Sequence, residues 1–251
     1  MPALDWLTAR PIAHRGYHDA AAGRVENTLG AVRAAVARGF AVEIDVHLSA
    51  DGIVYVFHDD TLDRLTERTG SVTGMTFAEL QAVPFKATAD RIPSLAEVLE
   101  VMAGRTTLVV EVKSHFDGDH KALVRGVADV LKDYAGPVAV MSFDPRIVAD
   151  FRAEAPDLVR GIVADNAAGP KDYPGLSEED RRMLADLGHV EWTAPHFVSY
   201  WVKLLPNEVA RRVREDWKLP MITWTVRTPE DRALTERYAD QMTFEGFDPE
   251  A

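Results

Sequence analysis

Cysteine is absent from the 251 residues, which removes disulfides, zinc–thiolate centres and thiol nucleophiles from consideration. No stretch approaches the roughly 18 uninterrupted apolar residues of a membrane-spanning helix. Residues 1–10 carry Asp5 and no long apolar run, which predicts neither a secretory leader nor a membrane span, and so a cytoplasmic protein. Positive charge is also scarce: 28 Lys and Arg stand against 40 Asp and Glu, and a net charge of −12 disfavours nonspecific attraction to nucleic acid or anionic membranes. A small phosphate-bearing substrate is still admitted, because local cations and a metal override the global field. No internal repeat or low-complexity segment is present. The 47% hydrophobic content supplies a sizeable core, and the length is typical of one α/β barrel domain spanning residues 1–251.

Against these absences stands one recurring pattern. His14-Arg15-Gly16 closes a short apolar run, Glu43-Ile44-Asp45 lies in a second, Phe57-His58-Asp59 closes a third, and Glu111-Val112-Lys113 closes a fourth. Residues two apart on a strand share a face, so Glu43 and Asp45 project together and can share one cation. Glu111 and Lys113 repeat that spacing. His14 and His58 supply two imidazoles able to move protons near neutral pH, and Arg15 offers a planar fork suited to phosphate oxygens. Apolar strands carrying such charges are costly unless something binds them. The set points to metal-assisted phosphoryl chemistry.

Strand-like and helix-like segments alternate along the whole chain. Strands are predicted at residues 11–16, 41–49, 106–114, 138–143, 159–164, 192–197, 220–226 and 241–247. Helices are predicted at residues 26–39, 94–102, 120–134, 145–155, 177–187, 206–217 and 229–238. Eight strands in this alternation favour a closed (β/α)8 TIM barrel over an open doubly wound sheet. Asp51-Gly52 marks a turn, so residues 53–59 form a hairpin-like extension of the second strand. Residues 61–92 are read as an irregular, polar insertion with one short helix at 76–82. In a barrel the functional groups belong at the C-terminal ends of strands, where the motifs above fall.

Several residues carry a plainer reading. Asp60, Asp63 and Arg64 read as a solvated loop. His18, His47, His115, His120, His189 and His196 read as surface or core histidines. Ser142 and Asp144 fit either a site or a strand end followed by a helix cap before Pro145, and Trp224 fits either core or a substrate wall.

In order and spacing, these motifs resemble the glycerophosphodiester phosphodiesterase family. The resemblance runs through His14-Arg15-Gly16, Glu26-Asn27-Thr28, Glu43-Ile44-Asp45, His58-Asp59 with Thr61-Leu62-Asp63-Arg64, Pro93-Ser94-Leu95, Glu111-Val112-Lys113, Ser142-Phe143-Asp144 and Trp224-Thr225-Val226. It implies a barrel enzyme that splits glycerophosphodiesters into an alcohol and sn-glycerol 3-phosphate with a divalent cation, Mg²⁺ or Ca²⁺. It further implies Glu43, Asp45 and Glu111 as metal ligands and His14 and His58 as general acid and base. Arg15 and Lys113 fall on the phosphate, with Trp224 beside the glycerol and Glu26 ranked below them. Residues 240–246 depart from the family's usual eighth-strand run. A barrel phosphodiesterase with phospholipase C-like or D-like substrate choice and a noncatalytic binding barrel stand as the alternatives.

Overall fold

The computed structural model describes residues 4–169 and 173–251. Its strands, in chain order, are β1 (Ile12–Ala13), β2 (Ala41–Leu48), β3 (Val54–Val56), β4 (Leu108–Val112), β5 (Val138–Ser142), β6 (Val159–Ala164), β7 (Phe197–Trp201), β8 (Met221–Val226) and β9 (Gln241–Phe244). The helices are α1 (Asp5–Thr8), α2 (Leu29–Ala37), α3 (Phe77–Gln81), α4 (Leu95–Met102), α5 (Lys121–Leu131), α6 (Pro145–Glu154), α7 (Glu178–Ala185), α8 (Val190–Thr193), α9 (Glu208–Arg211) and α10 (Pro229–Tyr238). Hydrogen bonding orders the strands β1-β9-β8-β7-β6-β5-β4-β2-β3, and β1 also pairs with β2. The fold is therefore the expected (β/α)8 barrel, with β3 outside the ring as the antiparallel partner of β2. Among the described residues, no helix is long and apolar enough to cross a membrane.

Contacts divide the chain into two compact units, residues 13–113 with 122–138, and residues 1–12 with 114–121 and 139–251. In the first, α2 begins at Thr28, whose hydroxyl accepts from the Ala31 amide, and its buried face carries Ala31, Val32, Ala35 and Val36. Helix α4 starts with a reciprocal cap, Ser94 to the Glu97 amide and the Glu97 carboxylate back to Ser94. Parallel pairing of β2 with β4 sets Asp45 opposite Glu111. In the second unit, α6 is capped by Asp144 with Pro145 in its first turn, which settles Asp144 as a helix cap.

Two expectations need correction. The strand predicted at 192–197 lies later, at Phe197–Trp201, and Val190–Thr193 is helical. Pro195 separates them: a proline disfavours helix in the residue before it, and the β-branched and aromatic run that suits a strand begins only at Phe197. The insertion is not simply irregular and polar. Leu62, Val72, Leu80, Val83 and Phe85 are buried in one cluster with Tyr55 and Phe57. Short bridges pair Thr61 with Ser71 and Thr66 with Phe85. Leu62, Val72 and Leu80 stand singly among polar residues and the run Ala82-Val83-Pro84-Phe85 is broken by proline, so no period betrays them, yet each buried side chain contributes about 1.5–3 kcal/mol. The expected helix is present as α3, capped by Thr76 and Glu79.

Candidate active site

The predicted polar residues of the first unit converge, and local backbone geometry explains much of it. Arg15 and Gly16 both have positive φ, 54° and 80°. A Cβ at Gly16 would lie 2.9 Å from the Ala31 backbone carbon, so the turn after β1 requires glycine there. That turn directs the Arg15 amide onto Glu43 Oε2 at 2.9 Å, and the Arg15 guanidinium lies 3.4 Å from Asp45 Oδ2. His14 Nε2 stands 4.0 Å from Glu43 Oε2.

Glu43, Asp45 and Glu111 are all buried, and each brings one carboxylate oxygen within 4.8 Å of the other two. Lys113 Nζ donates to Glu111 Oε1 at 2.7 Å and lies 2.8 Å from Asp45 Oδ1. Burial opposes the Lys113 ammonium, but Asp45 and Glu111 outweigh it and raise its pKa. Asp45 is the counterpart. Burial favours its neutral form, yet Lys113, His58 and Arg15 hold it far below the usual carboxylate range. Glu43 differs: burial, then Asp45 and Glu111, push its pKa well up, and its buried Oε1 has no hydrogen-bond partner. Three convergent carboxylates, one with an oxygen left unsatisfied, fit a hard divalent cation.

His58 sits at the end of the β2–β3 hairpin. Its Nδ1 lies 2.7 Å from Asp59 Oδ1, and its carbonyl accepts from His47 Nε2 at 3.3 Å. His47 is a structural histidine, stacked on Tyr55 and buried; that burial, with Lys113 nearby, lowers its pKa to about 4.

Three further residues belong to this constellation beyond the predicted site set. Asn27, buried with φ 56°, donates its side-chain amide to Asp45 Oδ2 at 2.8 Å and accepts from the Asp45 backbone amide at 3.3 Å. Its signal was the unusual Glu26-Asn27-Thr28 run, since Asn tolerates the left-handed region. Asp59 and Arg64 are the other two. Arg64, read from sequence as solvated loop, makes two hydrogen bonds to each of Glu26 and Asp59, all between 2.7 and 2.8 Å. Glu26 also accepts from Arg15 Nη1 at 2.7 Å. Burial works against the Glu26 carboxylate, but Arg64 and Arg15 lower its pKa to about 2.

Trp224 lies in the other unit, half-buried. Its indole donates to the Ser199 carbonyl at 3.1 Å, and its ring meets Phe143 edge-on at 5.3 Å and Trp201 face-on at 6.4 Å. Phe143 continues this row to Tyr173 and Phe116.

The profile of the glycerophosphoryl diester phosphodiesterase family matches residues 14–245. Glycerophosphodiester phosphodiesterase 1 of Bos taurus is 30% identical over 224 residues, covering 85% of this chain and 60% of the relative. The glycerophosphodiester phosphodiesterase of Caldanaerobacter subterraneus subsp. tengcongensis is 32% identical over 163 residues, covering 61% of this chain and 65% of that one. The match thus spans 60% and 65% of the length of these two curated relatives. Among solved structures, an Oleispira antarctica phosphodiesterase, in complex with the product sn-glycerol-3-phosphate, is similar with a TM-score of 0.75 at 24% identity, covering 95% of this chain and 94% of that one. Since the family match runs from the first predicted site histidine to the end of the last barrel strand, the chain belongs to the glycerophosphoryl diester phosphodiesterase family.

Proposed function

We propose that this chain is a glycerophosphodiester phosphodiesterase that hydrolyses its substrates to an alcohol and sn-glycerol 3-phosphate with a divalent cation, Mg²⁺ or Ca²⁺. The observation that carries the proposal is the Glu43, Asp45 and Glu111 cluster, with the Glu43 oxygen that nothing in the protein satisfies. Residues 1–251 act as one catalytic domain, with residues 61–92 inserted in it. Family membership and the product named for the Oleispira relative support the substrate class.

Glu43, Asp45 and Glu111 would hold the cation, which supplies charge neutralisation at the phosphate and lowers the pKa of a bound hydroxyl. Arg15 and Lys113 bind the phosphate oxygens. One of His14 and His58 removes the proton of the attacking hydroxyl, and the other delivers a proton to the departing alcohol oxygen. The substrate's own glycerol hydroxyl, adjacent to the phosphodiester, serves as nucleophile and closes a cyclic phosphate that water then opens. Holding the nucleophile within the substrate supplies proximity that a separate water would lack. Trp224, with Phe143 and Trp201, offers an apolar wall for the glycerol.

The test is turnover of glycerophosphocholine, glycerophosphoethanolamine and lysophospholipids by purified protein, with Mg²⁺ or Ca²⁺ and in chelator. Cation-dependent release of sn-glycerol 3-phosphate from the first two is expected. Turnover of lysophospholipids alone would replace this reading with a phospholipase-like one. A substrate whose vicinal hydroxyl is methylated should turn over far more slowly, and an unchanged rate would point to direct attack by water.

A further inference from the structure

Arg64 is the residue whose contacts exceed what a loop position calls for. It lies 38 residues from Glu26 in sequence, and its Nη1 and Nη2 donate to Glu26 Oε2 and Oε1, both at 2.7 Å. Its Nε and Nη2 donate to Asp59 Oδ2 and Oδ1 at 2.7 and 2.8 Å. One guanidinium therefore satisfies two carboxylates in fork geometry, which a lysine ammonium cannot reproduce.

Each of those carboxylates has a second task. Asp59 Oδ1 faces His58 Nδ1 at 2.7 Å, and Glu26 Oε1 accepts from Arg15 Nη1 at 2.7 Å. Arg64 and His58 together hold the Asp59 carboxyl below its ordinary range although burial opposes this, so Asp59 is ionised and can only accept. The His58 ring proton then sits on Nδ1, and Nε2 is left for proton exchange with substrate. Remove the guanidinium, and two carboxylates are left without their shared counter-charge and free to rotate. An ordinary exposed ion pair is worth little. This one is set apart because its two anions each hold a different group of the site.

We propose that Arg64 is a positioning residue, supplied by the start of the inserted segment, that fixes the tautomer and orientation of His58 through Asp59 and the aim of Arg15 through Glu26. The inference rests on the roles given above to His58 and Arg15, and it joins one proton-transfer group and one phosphate ligand through a single side chain that touches neither.

Two measurements test it. In protein labelled with ¹⁵N-histidine, long-range ¹H–¹⁵N correlations at a pH where the ring is neutral should give the Nδ1–H tautomer for His58 in the native chain. Arg64→Ala and Arg64→Lys should give a mixture of tautomers. In steady-state turnover of glycerophosphocholine with Mg²⁺ or Ca²⁺, Asp59→Asn should lower kcat, Glu26→Gln should mainly raise KM, and Arg64→Ala should do both. The kcat losses should be about 10–100-fold, as for other residues that orient a site group. Because Arg64 is solvent-exposed on one side, guanidinium at tens of millimolar should restore part of the Arg64→Ala rate, which lost folding would not allow. A native tautomer in Arg64→Ala, or native kcat and KM in Arg64→Lys, would overturn the proposal. If the native chain hydrolyses no glycerophosphodiester, the functional reading fails alone, since the tautomer measurement needs no turnover.

Discussion

Strands β2 and β4 differ sharply from β5, β7, β8 and β9 in what they bury. The first two place Glu43, Asp45, His47 and Glu111 inside the protein, with Lys113 immediately after. The other four carry no carboxylate or amine; they bury hydroxyls such as Ser142, Ser199 and Thr223 and the rings of Tyr200 and Phe244, with Trp201, Trp224 and the Gln241 amide half-buried. Strand β6 has one charge, Arg160, at its second position, where it reaches the Pro156 carbonyl at 3.4 Å. A buried charge costs far more than a buried hydroxyl, and burial of aromatic surface is favourable. One set of strands thus bears a cost that Lys113 and Arg15 offset in part and that a bound cation would offset further, while the other set carries no such cost.

The largest effects are expected at the charges of β2 and β4, through the cation they would hold. Chelation is expected to abolish turnover, and Asp45→Asn or Glu111→Gln to lower it at least about 100-fold, with cation affinity by calorimetry falling in step. Glu43→Gln should do the same while raising the melting temperature of the cation-free protein. The sign follows from the raised pKa of Glu43: the folded state holds this proton more tightly than the unfolded chain. Its stabilising contribution is therefore complete below the ordinary glutamate pKa and is lost as pH rises through the folded one. Full activity in excess chelator would remove the premise.

Next in size is the histidine pair. His14→Ala and His58→Ala are each expected to lower kcat by about 10²–10⁴-fold. The double variant should fall short of the product of the two losses, because both groups serve one coupled step. Near-native turnover in His58→Ala would reduce it to a hairpin residue.

His189, in the second unit, sharpens the contrast because it is a buried ring with no acidic partner among its hydrogen bonds. Its Nδ1 lies 3.5 Å from the Thr193 hydroxyl, and burial lowers its pKa to about 4. The folded state refuses a proton that the unfolded chain accepts. Stability from this residue is complete above about pH 6.5 and falls as pH drops toward 4, by roughly 2 kcal/mol at about pH 5. Urea unfolding of the native chain and His189→Gln at pH 7 and pH 5 should show the smaller acid loss in the variant. Equal losses would exclude the ring.

The smallest effect concerns the aromatic row. Trp224→Ala is expected to raise KM by about tenfold, the loss of one apolar contact of roughly 1.4 kcal/mol, while leaving the cation requirement unchanged. A change in cation affinity would place Trp224 in the wrong class.

Local signals carried much of the fold. Proline, glycine and cap residues mark the helix ends at Thr28, Thr76, Ser94, Asp144 and Ser177, each of which caps as its residue type suggests. The strand misplaced at 192–197 failed because aromatic Trp192 and β-branched Thr193, ahead of Pro195, suit a strand by propensity although they form a helical turn. The insertion's core escaped because its members follow no helical or strand period, and only three-dimensional closure assembles them.

By itself the sequence determined which residues share a face. Glu43 with Asp45, and Glu111 with Lys113, follow from the two-residue period of a strand, which is local geometry. The tertiary structure decided what those faces meet. Pairing of β2 with β4 puts Asp45 beside Glu111, and closure of the chain brings Asn27 onto Asp45 and Arg64 onto Glu26. Those encounters span 18 and 38 residues. No periodicity reaches so far, because the register between strands and the path of a loop are set by packing of the whole core and not by the backbone preferences of the residues that meet.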